Sequence, residues 1–143
     1  MSPRSTFTVR FSDAAYQLVS EECRQARAVA REFRFDPPRS LTNAIRQARA
    51  YREAGVEVLY VYEQAWQRCG SIQGLGSMEE QVGPTRYFDL DRSELSSDER
   101  HLRDYHSRRA WLKTTAVRWG DGSTRRGKLL ALQVEYRTLG LEV

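Results

Sequence analysis

The eight residues "VEVLYVYE" (56–63) constrain the fold more than any other stretch of the chain. They are rich in β-branched and aromatic side chains and apolar on both faces through the middle. That is the composition of a strand covered on two sides, so the segment predicts the central strand of a sheet. "TFTVRF" (6–11) alternates instead, with Phe7, Val9 and Phe11 on one face and Thr6, Thr8 and Arg10 on the other. It predicts a strand with a single buried face.

Helices are expected between and after these strands. Ser12 and Asp13 supply an N-cap and a first-turn acid for a helix over about 13–34. Ala15, Leu18, Val19, Ala26, Val29, Ala30 and Phe33 form its apolar side. Pro37 and Pro38 end it, and Ser40 caps a second helix over about 41–54. Leu41, Ala44, Ile45, Ala48 and Tyr51 face inward there, Arg46 and Arg49 face outward, and Gly55 stops the helix. Ser96 to Glu99 form a capping-box pattern opening a third helix over about 97–110. Leu102 and Tyr105 are its expected core contacts, with Arg100, Arg103, Arg108 and Arg109 mostly outside.

Residues 64–84 lose periodicity, and Gly70, Gly74, Gly76, Gly83 and Pro84 predict a long irregular loop. "TRYFDL" (85–90) reads as a short strand. "LKTTAVRW" and "KLLALQVEYRTL" read as two strands joined by a hairpin tip, "GDGSTRRG", with Leu130, Leu132, Val134 and Tyr136 as an inward row. The expected fold is α+β, a single domain over 1–143. An antiparallel or mixed sheet of about four to five strands packs against two or three helices.

Catalytic signatures are weak. Gly122 to Lys128 fits GxxxxGK, but Leu129 stands where the phosphate loop needs a magnesium-binding hydroxyl, and a strand is expected to follow. "GSIQGLGS" (70–77) is not the dinucleotide fingerprint. His101 and His106 are five residues apart and fall on different faces of a helix, so they do not form an i, i+4 metal pair. Asp89 and Asp91 would share a strand face but read as loop-end residues. Cys23 reads as a small buried hydrophobe and Cys69 as an exposed loop residue. No catalytic residue, metal or cofactor is assigned, and the chain is expected not to be an enzyme. No apolar run reaches the roughly 20 residues that span a bilayer and the N-terminus lacks a signal-peptide core, so a cytoplasmic protein is expected.

Charge is the remaining signal. The net charge is +4, and 23 residues are basic against 19 acidic, which favours acidic partners. Arg24, Arg27, Arg31 and Arg34 lie on one face of the first helix, centred about 140° from its apolar side at 3.6 residues per turn. Arg108 and Arg109 end the third helix, and Arg118, Arg125, Arg126 and Lys128 surround the hairpin tip. Arginine forks match phosphate oxygens in pairs, so the first expectation is a regulatory nucleic-acid-binding protein using the hairpin and one helical face. The alternative is an adaptor or inhibitor, of the kind phages and plasmids carry, whose arginines meet an acidic protein surface. Trp66, Ile72, Leu75 and Met78 are its candidate apolar anchors.

Overall fold

The computed structural model describes residues 3–18, 38–72, 76–115 and 119–143. Three strands, β1 (Arg4–Phe11), β2 (Val58–Ile72) and β3 (Gly76–Phe88), form one antiparallel sheet in the order β1-β2-β3. Four helices are described: α1 over 13–18, α2 (Leu41–Glu53), α3 (Ser97–Thr114) and α4 (Arg125–Thr138). The fold is α+β, as expected, with fewer strands among the described residues than expected.

The two strand expectations at the N-terminal half hold. β2 is central, pairing with β1 from Arg4↔Trp66 to Phe11↔Val58 and with β3 from Val61↔Phe88 to Ile72↔Gly76. Period-two alternation sends Val61 and Tyr60 to opposite faces, and each face has its own cover. On the Val61 side, α2 contributes Ala44, Ile45 and Ala48, which bury with Val61 and Leu90 against Phe7 and Val9. Ser40 caps α2 by accepting a hydrogen bond from the Asn43 amide.

On the Tyr60 side, α3 delivers a polar anchor. The Tyr60 hydroxyl donates to Asp104 Oδ1 at 2.7 Å, and Arg100 Nε lies 3.1 Å from Asp104 Oδ2. Arg10 Nε of β1 approaches the same carboxylate at 3.9 Å, and the Arg100 guanidinium stacks over the Tyr87 ring of β3 at 4.5 Å. One buried carboxylate therefore ties α3 directly to two strands, and Arg100 carries the tie to the third. Burial, followed by the hydrogen bond to Asp104, pushes the Tyr60 phenol up from 10.0 to about 12. A raised folded-state pKa means the folded protein holds this proton more tightly than the unfolded chain. Its stabilising contribution is full below pH 10 and lost as pH rises from about 10 to 12. Denaturant titrations across that window should show wild type losing more stability than Tyr60→Phe.

Two expectations are corrected. Residues 64–72 and 76–84 are strand, not an irregular loop. β2 runs on to Ile72 and returns as β3, and beyond Trp66 this hairpin is a two-stranded arm with no β1 alongside. Both faces of such an arm meet water, so apolar alternation is not required of it. Gly70, at φ +128, sits at an irregularity in the pairing, a backbone state suited to glycine.

The second correction concerns the C-terminus. The expected strand pair is absent from the described residues: Leu112 to Thr114 end α3, and residues 125–138 are α4. Thr124 caps α4 by accepting from the Gly127 amide at 3.1 Å. The expected inward row splits as a helix requires. Leu132 and Tyr136, four apart, are buried, whereas Leu130 and Val134 are 53% and 59% exposed. With Tyr105 and Leu141 they form a second apolar cluster.

Candidate binding groove between α3 and α4

The capping box read from sequence is present at α3: Ser96 Oγ accepts from the Glu99 amide, and Glu99 Oε1 accepts from the Ser96 amide. From that fixed start, Leu102, Tyr105, His106 and Arg109 fall at i, i+3, i+4 and i+7 on one face. On α4, Arg125, Arg126, Leu129, Leu130 and Gln133 make the facing row. Between them lies a groove of about 780 Å³, closed at one side by Glu142 and Val143. The segment after α4 is held in place because Val143 accepts hydrogen bonds from Gln133 Nε2 and Arg137 Nε at 3.0 and 2.7 Å.

The groove has an apolar floor and a basic rim. Arg125 is oriented by a hydrogen bond from Nη2 to the Thr115 carbonyl at 2.6 Å. Arg109, Arg125 and Arg126 are exposed, and none lies within 4 Å of a carboxylate among the described residues. Arg125 and Arg126 also occupy the first turn of α4, where no acidic residue is present. The helix dipole favours anions at that end, so two cations there repel both it and each other.

The other candidate residues fare differently. Lys128 pairs with Asp121 at 3.3 Å and sits over the Trp119 ring, and Ser123 and then Lys128 pull the Asp121 carboxyl down to about 2. Arg108 pairs with Glu135 at 3.3 Å and lies over Tyr136. Arg100 and Arg103 are not outside; each is half-buried and paired, with Asp104 and Asp89 respectively. Arg103 grips Asp89 through both carboxylate oxygens and holds it below its usual range. Arg24, Arg27, Arg31, Arg34, Arg118, Cys23 and Leu75 lie outside the described residues.

Trp66 is on β2 and donates its indole N–H to Thr6 Oγ1 at 2.9 Å, which makes it a sheet residue and not a loop anchor. Ile72 ends β2, and Met78 lies on β3, 46% exposed. The arm is not basic: Arg68 pairs in register with Glu79, and Glu80 follows. Cys69 is exposed, on β2. The strand expected after Lys128 is a helix, so that ground against a phosphate loop falls. Leu129 still lacks the required hydroxyl, and the described element before the loop is α3. Among the described residues, no group of three His, Cys, Asp or Glu is placed to hold a metal, and no helix is long and apolar enough to cross a membrane.

The groove floor was missed by the sequence reading. Leu129, Leu130 and Gln133 repeat at helical spacing, a signal hidden once that segment is read as a strand. In comparisons with family models, curated proteins and solved structures, nothing matches this chain.

Proposed function

We propose that the protein is a non-enzymatic adaptor or inhibitor that takes an acidic, amphipathic segment of a partner protein into the groove between α3 and α4. The observation that carries this reading is an apolar floor lined also by Arg109 of α3 and by Arg125 and Arg126 of α4, none of them within 4 Å of a described carboxylate, against the single acidic side chain of Glu142. A nucleic-acid backbone uses cations but leaves an apolar floor wet. An amphipathic segment uses both, with large apolar side chains on Leu102, Tyr105, Leu129 and Leu130 and carboxylates on the arginines. Arg125 and Arg126 open a helix here and do not tip a β-hairpin, so a projecting hairpin no longer supports phosphate docking.

The test is a selection of displayed random peptides on the immobilised protein. Enriched sequences are expected to combine acidic residues with apolar side chains at i, i+3 or i+4, and i+7. The variant R109A/R125A/R126A should bind them roughly tenfold or more weakly, since each charge-assisted contact contributes about 1.5–3 kcal/mol before solvent screening. A mixed-sequence DNA duplex that binds more tightly than any selected peptide at near-physiological salt, with a salt slope that falls in the same variant, would overturn the reading in favour of nucleic acid.

A further inference from the structure

We propose that a second anion site lies between α2 and the turn after β3, and that it takes a phosphate-type dianion through Arg46, Arg49 and Arg92. The cleft is about 400 Å³ and shares no lining residue with the α3–α4 groove. Thr42, Arg46, Arg49 and Glu53 line it from one face of α2, and Arg92 faces them from the turn. Glu53 is the only acid in the lining, so three guanidiniums meet one carboxylate. No described carboxylate lies within 4 Å of Arg46, Arg49 or Arg92.

Two of the three arginines are set in place by features with no evident structural need for a cation. Arg49 donates from Nε to the Leu90 carbonyl at 2.9 Å, which fixes its guanidinium against the turn. Arg92 has φ +75, the only positive value at a non-glycine residue among those described. L-residues other than Asn and Asp avoid that region, because Cβ crowds the neighbouring carbonyl. The turn is over-determined around it. Asp89 is gripped by Arg103, the Asp89 amide donates to Ser93 O, the Arg92 amide to Asp89 O, and the Ser93 amide to the Asp91 side chain. Strain held in this way at a charged residue lining a cleft points to a binding role.

The ligand class follows from the donors. Each guanidinium presents a planar fork that matches two oxygens, and three forks exceed what one carboxylate accepts. A tetrahedral dianion has enough oxygens, and its charge offsets the mutual repulsion of the arginines.

The test measures melting temperature and calorimetric binding with inorganic phosphate and with a nucleoside 5′-monophosphate, chloride keeping ionic strength constant. Wild type should show a saturable rise with phosphate. Arg46→Ala should bind about tenfold more weakly. Arg92→Asn should lose the rise while melting no lower than wild type without ligand, since Asn tolerates positive φ. Glu53→Gln should bind several-fold more tightly, and R109A/R125A/R126A should bind as wild type does. Tighter binding of the monophosphate identifies an esterified phosphate as the source, and equal binding identifies free phosphate. No saturable rise, or the same rise in Arg46→Ala and Arg92→Asn, overturns the proposal.

Discussion

Asp104→Ala should lower the unfolding free energy by about 3 kcal/mol, the size seen when one partner of a buried ion pair is removed. Asp104 is 5% exposed; it accepts the Tyr60 hydroxyl's hydrogen bond and is the shared ion-pair partner of Arg100 and Arg10. Its loss leaves a buried phenol without an acceptor and two half-buried guanidiniums repelling across a vacated space. Asp104→Asn keeps an acceptor for Tyr60 but removes the charge and should fall between alanine and wild type. Tyr60→Phe removes a single hydrogen bond to a charged group and should lose about 1.5 kcal/mol. The effects of Asp104→Ala and Tyr60→Phe should not add, because both act on the same bond. Urea titrations of the single and double variants measure this directly.

The second large effect discriminates helix from strand at the C-terminus. Tyr136→Ala should destabilise by about 3–5 kcal/mol and Leu132→Ala by about 2–4, whereas Val134→Ala should stay within about 0.5. Tyr136 is 3% exposed, packs on Tyr105 with ring centroids 5.4 Å apart, and has Arg108 over its face. Leu132 is 6% exposed, and Val134 stands in solvent at 59%. A strand with Leu130, Leu132, Val134 and Tyr136 in one row would make all four matter similarly. A helix places Val134 about 160° from Tyr136 at two residues' separation, taking the shorter way round, so only the i, i+4 pair matters.

That contrast also explains what the sequence concealed. "KLLALQVEYRTL" satisfies both periods: Leu130, Leu132, Val134 and Tyr136 at two, and Leu129, Leu132 and Tyr136 at three to four. Short apolar runs of this kind are ambiguous until the flanks decide. Here the deciding flank is Thr124, an N-cap without the Glu or Gln three residues on that would have completed a capping box. The β2–β3 arm was illegible for a different reason. Residues 67–70 and 78–81 are exposed, so no buried face there imposes alternation, and Gly70 sits at a pairing irregularity within β2.

Where a segment buries one clear face, sequence and structure agree. β1 packs Phe7 and Val9, α2 packs Ala44, Ile45 and Ala48, and the box at Ser96 opens α3 as read. Charge was less legible than pattern. Arg100 and Arg103 look like solvated positions on a wheel, but their partners Asp104 and Asp89 become visible only when the sheet brings them near. Arg109 and Arg125 are far apart in sequence and share one groove. Arg92 gives no sequence signal at all; its backbone angle is the clue.

The most direct test of the groove is an amide chemical-shift titration of the isotope-labelled protein with the highest-affinity selected peptide. Under the proposed function, the shifts concentrate on Leu102, His106, Arg109, Arg126, Leu129 and Leu130, and salt weakens binding without abolishing it. Shifts confined to the β2–β3 arm or to α2, with the facing rows of α3 and α4 unmoved at saturation, would contradict it.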